Sequence, residues 1–282
     1  MSPLLRGLLL PWNLLMMAAC FTLFTWIVHD RRMPGWPDAL DRVKHGSLLR
    51  LGVGGVGAAV LADVLLIAGF GLVHALHARP RVSLWLGQRV ARPLLRTLFM
   101  TSTAAAWLLV LFCWQHTGVT VWDARPALGR LGIATDLVDT LAPLLPFAFV
   151  LLCLGTVVRH GAFEFIGLRQ LLAAPERTDA YGVFRGERAP VLLTHGIYGV
   201  VRHPMYLYLL AAVVVRPVLS LDMLVFFASA VAFLCVAVPY EEEKLVALFG
   251  EAYREYQRRT PAFVPFWPMR APSAPALSSR SH

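Results

Sequence analysis

Apolar residues in this chain fall in long unbroken runs rather than alternating or tracking one helical face. Stretches near residues 8–28, 51–76, 97–114, 141–158, 205–220 and 222–240 each approach the roughly 20 apolar residues that carry a helix across a bilayer. A backbone in lipid must satisfy its own hydrogen bonds, so the runs predict helices. The pattern as a whole predicts an all-α, polytopic membrane protein with about six transmembrane helices. Arg216, Pro217 and Asp222 interrupt the last apolar tract and mark either a tight hairpin or a re-entrant kink. The first run has only Arg6 ahead of it and no small-residue cleavage site behind it, so it is expected to stay as a helix.

Composition agrees: 57% of the 282 residues are hydrophobic and 15% are charged. The net charge of +9 would suit nucleic acid, but the arginines stand in short links beside the apolar runs, where topology signals lie. Nucleic acid is set aside, and the lipid bilayer is the expected surroundings. With both termini cytoplasmic, 18 Lys and Arg residues fall inside and 8 outside, which satisfies the positive-inside rule. Residues 29–50 run against it, carrying Arg31, Arg32, Arg42, Lys44 and Arg50 outward. A bacterial inner membrane is the expected location. Cys20, Cys113, Cys153 and Cys235 lie inside apolar runs without CxxC spacing, so they predict small core residues rather than disulfides or zinc ligands.

Gly52-Val53-Gly54-Gly55-Val56-Gly57 satisfies GxGxxG, yet no strand or βαβ unit precedes it, so dinucleotide binding and with it a reductase are rejected. Gly54 with Ala58 and Gly55 with Ala59 instead predict a close helix approach. Asp63, deeper in the same run, must face a helix neighbour or a polar cavity. Residues 159–203 form the longest cytoplasmic link, punctuated by glycine and proline, and long links of this kind carry function. The chain therefore divides into an N-terminal bundle at 1–158, a C-terminal core at 159–268 and a disordered tail at 269–282.

The densest chemistry is Thr194-His195-Gly196-Ile197-Tyr198-Gly199-Val200-Val201-Arg202-His203-Pro204-Met205-Tyr206, followed after two apolar runs by Glu241-Glu242-Glu243-Lys244-Leu245. Pro204 suits the first turn of a helix, whose free N–H groups would favour a carboxylate. Arg202, His203, Tyr198 and Tyr206 add donors and aromatic faces suited to a ligand with both a charge and a flat base. Glu241 and Glu242 can hold a ligand ammonium or favour a helix start. Beyond them Leu245, Leu248, Phe249, Tyr253 and Tyr256 form an amphipathic face, predicting a C-terminal cytoplasmic amphipathic helix.

Three segments together, Gly-Ile-Tyr-x-x-x-Arg-His-Pro-x-Tyr at 196–206, Glu-Glu-x-x-Leu-x-x-x-Phe-Gly-x-x-Tyr-x-x-Tyr at 241–256 and Pro-x-x-x-Pro at 261–265, resemble the isoprenylcysteine and phospholipid methyltransferase superfamily. The resemblance implies S-adenosylmethionine as cofactor. It implies cofactor binding by Tyr198, His203, Pro204, Met205, Tyr206, Glu241 and Glu242, with Pro190, Val191, Leu192 and Leu193 lining the cofactor through the main chain. Arg202, His203 and Tyr206 are the implied catalytic set.

The isoprenylcysteine enzymes have a histidine where Pro190 stands, a glutamine at Val183 and a substrate-contacting arginine at Ala237. Further forward, Phe70-Gly71-Leu72-Val73-His74 with Ala78-Arg79-Pro80, Trp114-Gln115, Val121-Trp122-Asp123 and the segment 163–170 resemble the methanethiol S-methyltransferase and NnrU-type branch. That implies a small or lipid-soluble thiol as acceptor. A prenylcysteine carboxylate, a phospholipid amine, or a non-catalytic accessory protein of nitrogen-oxide metabolism are the alternatives. His74 and His77 share a helix face, but no cysteine or carboxylate joins them at ligand spacing, so no metal is expected. His74, Arg79, Glu164 and Arg169 are the expected acceptor pocket.

Overall fold

The computed structural model describes residues 3–28, 54–142, 144–179, 182–184, 186 and 191–264. Pro190, the outward stretch 29–50 and the tail 269–282 lie outside the described residues.

The described residues are mostly helical. The helices are α1 (Pro3–Val28), α2 (Val56–Ala78), α3 (Pro80–Gly87), α4 (Leu95–Cys113), α5 (Arg125–Arg130), α6 (Thr135–Leu141), α7 (Leu144–Ile166), α8 (Leu168–Leu172), α9 (Pro204–Val214), α10 (Leu221–Phe249) and α11 (Glu251–Arg259). Among the described residues four stretches are long and apolar enough to cross a membrane: Val56–His77, Arg92–Cys113, Thr135–Arg159 and Leu221–Phe249. Leu4–Cys20 and Pro204–Val214 are shorter apolar helices. At 1.5 Å per residue the 11 residues of α9 rise only about 16 Å. The expected run 205–220 is therefore not one helix. Arg216 and Pro217 end it, and Val218–Ser220 forms β2, antiparallel to β1 (Thr120–Asp123) with Thr120 opposite Ser220 and Asp123 opposite Val218. The interruption resolves as a strand-capped hairpin.

The core gathers Ile67 of α2, Trp107, Val110 and Leu111 of α4, Val150 of α7, Ala212 and Val213 of α9 and Phe226 of α10. Lipid offers no hydrophobic drive between helices, so close packing and small residues decide their approach. The close approach expected of Gly54 with Ala58 and Gly55 with Ala59 is not seen at the glycines: among the described residues a Cβ at Gly54 or Gly55 would meet nothing within 4 Å. The close contact falls at Gly71, where a Cβ would lie 2.8 Å from Cδ2 of Phe233 on α10. Asp63 finds its partner in the first turnless residues after α4, where Gln115 N donates to Oδ1 at 2.8 Å. A carboxylate inside the bundle thus takes up a backbone N–H that lies past the end of the helical ladder.

The apolar stretch ends at Arg159, as the run 141–158 leads one to expect, and the helix breaks just after it at Gly161, whose φ of 101° a side chain would resist, before helical residues resume to Ile166. One more expectation changes. Glu241 and Glu242 do not begin a helix. They lie inside α10, which ends only at Gly250, where φ is 60° and ψ is −133°. The amphipathic face is therefore split between the last turns of α10 and the short helix α11, with Leu248 exposed and Tyr253 and Tyr256 buried.

Candidate active site

The junction of α9, α10 and α11 is organised around Glu242. Arg202 Nε donates to Glu242 Oε1 at 2.6 Å, His203 Nε2 lies 3.0 Å from the same oxygen, and Gln257 Nε2 donates to Oε2 at 2.8 Å. The Tyr253 hydroxyl adds a longer contact at 3.4 Å. Arg202 also donates through Nη1 to the carbonyls of Gln257 and Thr260. Such a charged group is stable out of water only when its remaining hydrogen-bonding capacity is met, and here it is.

Backbone pairing closes the clasp. Arg202 N donates to Pro261 O at 2.9 Å and His203 N to Ala262 O at 2.8 Å, so the segment after α11 lies alongside the residues before α9. Tyr256 donates its hydroxyl to Tyr198 O at 2.5 Å. Leu192, Leu193, Ile197, Leu245 and Phe249 pack around Tyr198, Tyr253 and Tyr256. Burial, the leading cause, pushes the Tyr256 phenol up to about 12 and moves Tyr253 upward as well. Both stay neutral donors at ordinary pH.

Glu241 differs from its neighbour. Its side chain is 46% exposed against 12% for Glu242, and among the described residues its hydrogen-bond partner is the Tyr206 hydroxyl, at 2.8 Å. Tyr206 in turn stacks on His203, with ring centroids 5.6 Å apart and planes at 19°. Pro204 stands in the first turn of α9, and its N-cap His203 makes no side-chain capping bond. The N–H groups of the first turn are thus left for another acceptor. Glu241, the His203–Tyr206 pair and the first turn of α9 thus lie together at this junction. Beyond Glu242, a groove of about 580 Å³ opens between Leu234, Val238, Val246, Gln257 and Phe263.

The structure thus brings together Tyr198, Arg202, His203, Pro204, Tyr206, Glu241 and Glu242, with Leu192 and Leu193 packed on the Tyr198 cluster. Val191 stands beside them, 78% exposed. Met205 is half-buried in the first turn of α9. The four expected acceptor residues are not gathered in one contact network. Glu164 and Arg169 pair with each other at 2.7 Å in an exposed position, Arg79 is exposed, and His74 lies apart among Phe70, Phe99 and Phe233. His77 meets Ser102 Oγ at 2.9 Å. Sequence reasoning passed over Arg96, which donates to Phe165 O at 2.7 Å and stacks on Phe99 and Phe165. An arginine at the mouth of an apolar run was the available signal.

The long apolar helices are those of an integral membrane protein, and comparison with known proteins makes it a membrane methyltransferase. The chain is 30% identical over 208 residues to the methanethiol S-methyltransferase of Pseudomonas deceptionensis, covering 73% of each. It is 28% identical over 232 residues to that of Crocosphaera subtropica, covering 82% of this chain and 81% of the relative. Protein-S-isoprenylcysteine O-methyltransferase B of Arabidopsis thaliana is 31% identical over 123 residues, 43% of this chain and 58% of the relative. The chain belongs to the methanethiol S-methyltransferase family. No family model matches it, and no solved structure does.

Proposed function

We propose that the protein is an S-adenosylmethionine-dependent thiol S-methyltransferase that converts a small thiol such as methanethiol to a thioether, here dimethyl sulfide. The observation that carries this reading is the contrast between the two glutamates. Glu242 is saturated by Arg202, His203, Tyr253 and Gln257, whereas Glu241 is half exposed and accepts from the Tyr206 hydroxyl, with His203 Nδ1 farther off at 3.9 Å. Glu241 is the carboxylate able to receive the ammonium of an amino-acid-like ligand, and the free N–H groups at the start of α9 suit its carboxylate. Leu192, Leu193, Tyr206 and His203 supply apolar and aromatic surface for the base.

S-adenosylmethionine supplies an electrophilic methyl group on a sulfonium. The protein's task is then to align an acceptor in line with that methyl and to exclude water. Arg202 acts by position: its donors hold Glu242 and the carbonyls of Gln257 and Thr260, fixing the segment that presents His203 and Tyr206. We place the clasp on the cytoplasmic side of a bacterial inner membrane, with both termini on that side, because this orientation collects the basic links.

Presenting purified protein with methanethiol, a prenylcysteine analogue and phosphatidylethanolamine side by side tests the acceptor. Methylation of the thiol alone is expected. Activity confined to the lipid or to the prenylcysteine would overturn the choice of acceptor.

A further inference from the structure

His74 presents an unexplained nitrogen. Its Nδ1 is buried and has no hydrogen-bond partner among the described residues, a costly arrangement for an imidazole. Its ring is caged by Phe99 at 5.0 Å, Phe233 at 5.8 Å and Phe70 at 6.0 Å between centroids. One turn along α2, His77 is accounted for by Ser102. Behind the cage, the Arg96 guanidinium lies 4.7 Å over the Phe99 ring and is pinned by the Phe165 carbonyl.

Helix α10 joins this cage to the clasp. Phe233, Ala237 and Glu241 recur every fourth residue, so they share one face of α10, each about 6 Å further along. Glu241 meets Tyr206 at one end of that face, Phe233 meets His74 at the other, and the small side chain of Ala237 stands between.

We propose that the aromatic cage is the acceptor subsite, and that His74 Nδ1 takes the proton of the acceptor thiol. The inference rests on the thiol methyltransferase reading above. Aromatic rings suit a polarizable sulfur, and a neutral imidazole nitrogen beside it can take the thiol proton. As the thiol's S–H proton passes to His74 Nδ1, its sulfur electron pair forms the new S–CH3 bond. The old methyl–sulfonium bond breaks with its electron pair remaining on the donor's sulfur, and His74 later returns the proton to water.

His74→Phe keeps the ring and removes the nitrogen. Donor affinity by calorimetry should be unchanged, while kcat/KM for methanethiol at neutral pH falls about a hundredfold. The deficit should shrink as pH rises, because solvent then supplies the thiolate; a merely structural defect would show no such recovery. In protein labelled with nitrogen-15 histidine, methanethiol should shift one resonance that is missing from His74→Phe. If the variant loses donor affinity, His74→Gln, which keeps a hydrogen-bond acceptor, should restore it and retain the resonance-independent pH recovery. Wild-type kcat/KM in His74→Phe, or no histidine shift in the wild type, would overturn the proposal. A wild type that binds no donor or methylates no thiol would instead sink the reading on which it rests.

Discussion

Arg202 and Glu242 are joined by a 2.6 Å ion pair in which both side chains are about nine-tenths buried. Forty residues and a helical hairpin separate them in sequence. Their pairing ties the segment before α9 to the end of α10, and the carbonyls of Gln257 and Thr260 extend the tie to the end of α11. A pair this well satisfied acts as a fastening, and removing one partner strands the other charge in a dry place.

The first prediction follows from that stranding. Arg202→Ala and Glu242→Ala should each destabilise the folded protein by about 3 kcal/mol. The double variant should cost far less than the two added together. Thermal unfolding in detergent of the two singles and the double checks this, and additive losses would show that the pair is not a unit.

The two glutamates should separate cleanly. Glu241→Gln keeps a group for Tyr206 but removes the charge, so donor affinity should fall about tenfold or more, the worth of one charge-assisted bond. Its melting temperature should stay near wild type. Glu242→Gln should lower the melting temperature instead. Calorimetry beside a thermal melt distinguishes the two, and a reversed pattern would assign the ligand to Glu242.

Gly167 links α7 to α8 at a φ of 87°. An alanine Cβ there would lie 2.8 Å from Arg96 Cγ and 3.0 Å from Asn13 Nδ2. Gly167→Ala should therefore destabilise by about 1–3 kcal/mol, combining left-handed strain with the clash. Because Asn13 also donates to Thr97 and Ile166 O, the loss should loosen α1, and limited proteolysis of α1 should report it.

Ala237 stands on the face of α10 that joins Glu241 to Phe233. Ala237→Leu should leave donor affinity unchanged and reduce turnover of methanethiol about tenfold by filling the acceptor's approach. Unchanged turnover would place the acceptor elsewhere.

Much of this was legible in the residues themselves. Apolar runs gave the helices because lipid leaves the backbone few choices, and the Arg-His-Pro and Glu-Glu segments marked the clasp. What the runs could not show was which of two adjacent glutamates faces inward. That depends on α10 continuing unbroken through Pro239 to Gly250, and an apolar pattern that stops at Tyr240 gives no sign of it. Val218–Ser220 likewise read as the tail of a helix, because its pairing with Thr120–Asp123 joins residues about a hundred positions apart. His74 stood out by type, but Phe99 and Phe233 come to it from other helices. Arg79, Glu164 and Arg169 shared only a polar character with it.

The most direct test is isotopic. Purified protein in lipid vesicles, given S-adenosylmethionine carrying a trideuterated methyl group and ordinary methanethiol, should release dimethyl sulfide bearing one deuterated methyl, read by mass spectrometry of the headspace. The label should be lost in Glu241→Gln at limiting donor concentration. Absence of labelled dimethyl sulfide from wild-type protein that binds the donor would contradict the account.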